Sequence, residues 1–284
     1  MRHHANKLLI FFAAVLISVS VFSTAPVMAA SSTTSVVKKQ TAKKANKWVK
    51  NKKGFYTYYD SQGKKCTGLT TIKGKNYYFD QKGIQRCGWQ QIDNGYYYFR
   101  IASGSKAYMM TNTTMNGIRL GKTGKAVLNT SARRQKIKLL WRAQQLSQEI
   151  ITDNTMTKNQ KLKALYDWTQ KDSNIRKTNI GSFKSAKANW DIYYAGLVLN
   201  ASRLPARGDC YTYASVFGYL ANTVGYEATV CSSGHHGFVM INQKFYDPSW
   251  QKSMPNSFFG RSWDTVAEGL HFRYKSNMRY TKVI

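Results

Sequence analysis

The sequence predicts two structural classes in one chain: an all-β solenoid of hairpin repeats, followed by an α+β domain. Three observations predict this. A Gly- and Tyr-rich pattern returns every 20 or 21 residues, it fades after residue 128, and helical apolar periodicity begins there. The 284 residues are 43% hydrophobic, enough for a packed core, which excludes wholesale disorder. Only the N-terminus is apolar enough to approach a bilayer, which excludes a polytopic membrane protein.

At that N-terminus, Arg2 and Lys7 precede the apolar run Leu8–Phe22, and small residues follow in Val27-Met28-Ala29-Ala30. This reads as a secretory signal, residues 1–29, cut after Ala29. The alternative, an uncleaved anchor, is disfavoured because the run falls short of the ~20 residues a spanning helix needs. No stable membrane span is expected after cleavage. Residues 30–47 are Ser, Thr, Lys and Ala with few large apolar groups, and read as a flexible basic linker.

The charge is lopsided, with 43 Lys+Arg against 13 Asp+Glu, a net +30. Removing residues 1–29 leaves 41 and 13, or +28. Such a surface seeks an anionic partner, a cell-wall polymer or glycan, and export argues against nucleic acid. The expected location is secreted and cell-wall associated, of the Gram-positive type. A soluble basic protein with no such partner is the plainer alternative.

The repeats occupy residues 48–128. Gly54-Phe55-Tyr56-Thr57-Tyr58-Tyr59-Asp60 is followed by Gly74-Lys75-Asn76-Tyr77-Tyr78-Phe79-Asp80 and by Gly95-Tyr96-Tyr97-Tyr98-Phe99. Gly63 and Gly83 are 20 apart, Gly74 and Gly95 are 21 apart, and a degraded fourth copy runs from Gly117 to Gly124. Aromatic residues suit strands and the Gly-bounded polar steps suit turns, so each unit reads as a β-hairpin. One hairpin cannot bury its own face, but stacked neighbours can.

The run Gly88-Trp89-Gln90-Gln91-Ile92-Asp93-Asn94-Gly95-Tyr96-Tyr97-Tyr98-Phe99 resembles the choline-binding or glucan-binding type of cell-wall-binding repeat, over roughly residues 46–128. The resemblance implies that aromatic rings of successive hairpins cage a ligand, with a quaternary ammonium held by cation–π attraction. It makes Trp48, Tyr58, Tyr78, Trp89 and Tyr97 the candidate ligand-binding residues. Leu69 replaces the Trp in the middle copy. The rings could equally be solenoid core, and the +16 charge of residues 31–128 attracts anionic polymer without any cage.

Residues 129–284 read as a separate domain. Leu139, Ala143, Leu146 and Ile150 mark one helical face. Thr157 and Gln160 form a capping-box pattern that opens a helix with Leu162, Leu165, Tyr166 and Thr169 on one side. A third apolar stretch covers Tyr193–Leu199.

The chemistry there narrows quickly. Beyond the signal, the His residues are His235, His236 and His271, and the Cys residues are Cys66, Cys87, Cys210 and Cys231. The sequence contains no CxxC, HExxH, GxSxG or phosphate-cradling Gly loop, so no metal and no organic cofactor is expected. Cys plus His remains. Asp209 is a good N-cap, which places Cys210 in the first turn of a helix, where unpaired N–H groups favour a thiolate or an oxyanion. In Gly234–Ile241 followed by Asn242–Pro248, two apolar runs flank a polar Asn-Gln step and suggest a hairpin. With the turn centred on Ile241–Asn242, His236 lies opposite Asp247; centred on Asn242–Gln243, the two are diagonal neighbours. Either register puts them on one face, with His235 on the other.

Cys in Gly-Asp-Cys at a helix start, His before a strand and Asp at the end of the next resemble the transglutaminase-like superfamily of cysteine enzymes, over about residues 135–255. The resemblance implies a papain-like α+β fold, with Cys210 as nucleophile, His236 as general base then acid, and Asp247 orienting the imidazole. Phe238 stands where an HAW-like motif has Trp, at a wall of the pocket. The expected activity is attack on peptide or carboxamide bonds through a thioester, with a peptide or protein as substrate. Hydrolysis is modestly favoured over cross-linking to Lys amines, because water is always present. The alternative from another class is a catalytically inert wall- or glycan-binding adhesin. Cys210 could instead bridge to Cys231, and Cys66 and Cys87, which end successive repeats, could pair.

Overall fold

A computed structural model describes residues 45–101, 106–181, 188–233, 236–251, 258–262 and 279–283. The expected signal segment, most of the linker, His235 and His271 lie outside them. Among the described residues no helix is long and apolar enough to cross a membrane.

The first part is built of hairpins. β1 (Lys47–Lys50) pairs with β2 (Tyr56–Tyr59), β3 (Gly68–Ile72) with β4 (Lys75–Phe79), β6 (Gly88–Ile92) with β7 (Gly95–Phe99), and β8 (Thr114–Met115) with β9 (Ile118–Arg119). The short β5 (Gln85–Arg86) adds to β4. Registers Trp48↔Tyr58, Leu69↔Tyr78 and Trp89↔Tyr98 put the three copies in equivalent places. The connections obey turn chemistry: Lys73–Gly74 and Asn116–Gly117 sit at positive φ between the closing pairs of their hairpins, as two-residue turns require.

The second part is α+β. It contains α1 (Ser131–Ile150), α2 (Lys158–Gln170), α3 (Trp190–Leu199), α4 (Cys210–Thr223) and the short α5 (Pro248–Gln251). An antiparallel sheet runs in the order β15 (Phe259–Ser262), β14 (Lys244–Tyr246), β13 (Gly237–Ile241), β12 (Ala228–Ser232), β16 (Arg279–Val283). A parallel pair, β10 (Ile175–Lys177) and β11 (Ala206–Gly208), leads into α4. The buried residues of α2 are Leu162, Leu165, Tyr166 and Thr169, the face its spacing predicts, and the Thr157–Gln160 capping box is formed. Residues Tyr211–Thr223 of α4 are all buried, so this helix forms the centre of the domain, between the other helices and β12–β13.

The two parts share one core. Trp89, Tyr98, Ile118 and Leu120 of the hairpins join Ile137, Leu140, Phe217 and Val230 in a single buried cluster. Gly88 lets the third hairpin settle on α1: a Cβ there would meet the Gln144 side chain at 1.8 Å. Lower down, Asn154 donates through its backbone N–H to Lys53 O (2.8 Å) and through Nδ2 to Gly54 O (3.1 Å). The last bridged residue of the repeats is Ala126 and α1 opens at Ser131, and the described residues of both parts belong to one compact unit.

Candidate active site and repeat aromatics

The loop before Cys210 is held on both sides. β10 and β11 pair through Lys177↔Gly208, Thr178 N–H donates to Gly208 O (2.8 Å), and Tyr213 Oη donates to Ile175 O (2.7 Å). Gly208 is packed so closely that a Cβ would stand 2.6 Å from Thr212 Cγ2. Asp209 then caps α4, its Oδ1 accepting from Thr212 N–H at 3.1 Å, in the predicted N-cap role. Burial pushes the Asp209 carboxyl above its ordinary range, and the hydrogen bonds from Thr212 and Tyr211 pull the other way. Cys210 follows at N1, half-buried, with its backbone N–H among the helix-end donors that have no intrahelical acceptor.

The imidazole arrives from the sheet. The hairpin pairs Ile241↔Lys244 and Val239↔Tyr246, so its turn is Asn242–Gln243, both at positive φ. His236 and Asp247 are therefore diagonal neighbours, the second of the two registers the sequence allows. His236 Nε2 meets Asp247 Oδ2 at 2.5 Å. That nitrogen is taken, which leaves Nδ1 as the ring nitrogen open to Cys210, whose side chain also acts on the imidazole. Gly237 makes the approach feasible: a Cβ on it would lie 2.7 Å from Tyr211 Cδ1, 2.8 Å from its Cα and 3.0 Å from its N. The first residue of β13 thus rests on the first turn of α4.

Asp247 is fully buried and anchored from behind. Its Oδ1 accepts from Ser249 N–H (3.0 Å), Ser249 Oγ (2.9 Å) and Trp250 N–H (3.0 Å), so it also N-caps α5. The Trp250 ring stacks on His236, 4.4 Å between centroids at 25°. Burial disfavours a charged imidazole here. The Asp247 carboxylate, through charge and hydrogen bond, and then Cys210 outweigh it and push the His236 pKa up to about 10.

Sequence reasoning missed the Trp250 stack and the Gly237 contact. The cap was legible in principle, because Asp247 before Pro248 is an N-cap with Pro at N1. Phe238 is not at a pocket wall: it is fully buried and shares a small cluster with Cys231, Phe245 and Phe258, against which Trp250 packs. All four cysteines are free thiols, so neither the Cys210–Cys231 nor the Cys66–Cys87 bridge is formed. Burial pushes the Cys231 thiol far up, as for a core residue. Among the described residues no group of three or more His, Cys, Asp or Glu is placed to hold a metal ion. A surface groove of about 740 Å³ lies elsewhere, between α1 and α3, lined by Gln135, Lys138, Arg142, Ile192 and Tyr193 among others, and none of Cys210, His236 or Asp247 borders it.

The repeat aromatics divide. Trp48 and Tyr58 lie together, 5.1 Å between centroids, with Tyr77 and Phe79 against Trp48 at 5.1 and 5.6 Å. Tyr78 stands apart from them, 6.0 Å from Phe99. The half-buried Tyr97 ring covers Gly95. Trp89 is not a ligand-facing residue. It is 1% exposed, its Nε1 donates to Asn116 Oδ1 at 2.6 Å, and its ring belongs to the core shared with the helices. Leu69, at the equivalent position of the second copy, is 47% exposed.

Residues 66–113 match the family model of the choline-binding repeat. No curated protein matches the chain. Similar solved structures include CbpJ of Streptococcus pneumoniae, 28% identical over 28% of this chain and 26% of that one, TM-score 0.25. The choline-binding domain of Spr1274 from the same species is 23% identical over 30% of this chain and 95% of that one, TM-score 0.25. Choline binding protein F of Streptococcus pneumoniae, solved in the presence of a peptidoglycan analogue, is 25% identical over 31% of this chain and 29% of that one, TM-score 0.26. The chain spans less than a third of the length of CbpJ and of choline binding protein F.

Proposed function

We propose that this is an exported cell-wall-associated protein whose hairpin repeats hold it to a wall polymer and whose second half is a cysteine enzyme acting on peptide or carboxamide bonds. The choline-binding-repeat match at residues 66–113, together with the +28 charge of the chain beyond residue 29, supports wall attachment. One observation carries the catalytic half: a free, half-buried thiol at a helix N-terminus beside an imidazole that a buried carboxylate holds. The resemblance of these three residues to the transglutaminase-like enzymes points the same way.

In this reading each of the three residues has one role. Asp247 fixes the ring and keeps Nε2 protonated, so Nδ1 is the nitrogen that exchanges a proton with Cys210. The sulfur attacks the carbonyl carbon, and the Cys210 backbone N–H lies at the helix end where the developing oxyanion needs a donor. The C–N bond breaks as His236 returns the proton to the leaving amine, leaving a thioester on Cys210. Water, deprotonated by His236, then releases the acid and frees the thiol. An amine in place of water gives a cross-link; hydrolysis remains the favoured outcome because water needs no dedicated entry.

A second reading is favoured by one observation: the family match covers the repeats and leaves the Cys210 domain unmatched. In that reading the protein is a wall-binding adhesin without catalysis. Alkylation of the intact protein by iodoacetamide, followed by peptide mass spectrometry, separates the two. The enzyme predicts rapid labelling of Cys210 near neutral pH, slowed at least tenfold by His236→Ala, whereas slow, pH-independent labelling that ignores the substitution refutes the enzyme and favours the adhesin.

A further inference from the structure

The Lys106 ammonium stands against two aromatic rings of the first hairpin. The Trp48 and Tyr56 rings meet edge to face, 6.3 Å between centroids at 87°, and form a right-angled corner on the first hairpin. Lys106, which follows the third hairpin, places its Nζ 5.8 Å from the Trp48 ring and 5.4 Å from the Tyr56 ring. Both lie within the ~6 Å over which a ring quadrupole attracts a cation. Neither Tyr56 nor Lys106 belongs to the aromatic set singled out from the sequence, and Trp48 and Tyr56 lie outside the family match at residues 66–113.

The pattern recurs in the same module. Tyr108 carries Lys75 Nζ at 4.6 Å and the Arg100 guanidinium at 5.8 Å, and Tyr56 also receives Lys50 Nζ at 5.7 Å. Three half-buried rings of the module, Trp48, Tyr56 and Tyr108, thus carry cations of the chain itself. We propose that the Trp48–Tyr56 corner is a cation-binding site capped by the Lys106 ammonium, and that an external quaternary ammonium group binds there only by displacing it. The ligand's class rests on the wall-binding reading above; the cap rests on the ring–ammonium geometry.

Calorimetric titration of the full chain with choline chloride, against sodium chloride at equal ionic strength, tests this. Lys106→Ala removes the competitor and is expected to tighten choline binding about three- to tenfold, the factor that matches one partly exposed cation–π contact. Lys106→Arg keeps a cation on the rings and is expected to bind like wild type. Trp48→Leu in the Lys106→Ala background is expected to abolish the gain, and the leucine is compatible with the hairpin because Leu69 holds the equivalent position. Equal affinity of wild type and Lys106→Ala, absence of saturable binding to either, or a gain that survives Trp48→Leu overturns the proposal. Sedimentation of the same proteins with purified cell wall is scored separately. Wild type that sediments while Lys106→Ala shows no gain refutes the cap alone, and failure of every variant to sediment refutes the wall-binding reading.

Discussion

Asp247→Asn keeps the shape of the buried carboxylate and changes one property. The oxygen Oδ1 can still accept from Ser249 N–H, Ser249 Oγ and Trp250 N–H. The atom facing His236 Nε2 becomes an amide NH₂, a donor where an acceptor stood. Nε2 must then accept, the ring proton moves to Nδ1, and the nitrogen beside Cys210 can no longer take a proton. The His236 pKa, held up at about 10 against burial chiefly by Asp247, falls toward or below the ordinary ~6.5. Hydrogen bonds to charged groups contribute about 1.5–3 kcal/mol net, so a stability loss of about 2–3 kcal/mol at pH 7 is expected. The pH dependence has a definite sign. A folded-state pKa above the unfolded value contributes stability that is complete below about pH 6.5 and disappears as pH rises through about 10. Wild type therefore loses stability between those values, and the Asn variant follows a flatter profile over the same window. Urea unfolding at several pH values measures this, and iodoacetamide labelling of Cys210 at pH 6–7 should slow at least about tenfold. Parallel pH–stability curves together with unchanged labelling would refute the assigned proton arrangement.

Two further perturbations test the scaffold. Gly237→Ala forces a methyl against Tyr211 backbone atoms that cannot yield cheaply, so it should cost about 1–3 kcal/mol and slow Cys210 alkylation; labelling and stability like wild type would show that this contact does not set the His236–Cys210 approach. Gly88→Ala combines a positive φ of 68° with a clash on the buried Gln144, and should lower stability by about 1–2 kcal/mol. Because the hairpins and helices share a core, differential scanning calorimetry should show one transition moving as a whole, and two transitions of which only one shifts would contradict that.

Much of the local structure was legible because local chemistry is written in neighbouring residues. The 20-residue period marks the hairpins, Asp209 and Thr157 sit at the N-caps their side chains suit, and the apolar spacing of α2 identifies its buried face. The Cys210, His236 and Asp247 grouping was legible too, through a helix start and a hairpin, but its register was not. Two turns fitted the same residues, and the choice fell to Asn242 and Gln243, both at positive φ.

Sequence alone determined which elements form and which residues could carry chemistry, since caps, turns and periodicity act over a few residues. What surrounds each element was decided only in three dimensions. Trp48 and Trp89 hold the same place in the same repeat, yet Trp48 keeps a ring face beside Lys106 while Trp89 is sealed in the core, because α1 settles on the third hairpin and not on the first. The environment of a ring depends on what packs against it, and here that partner lies tens of residues away along the chain.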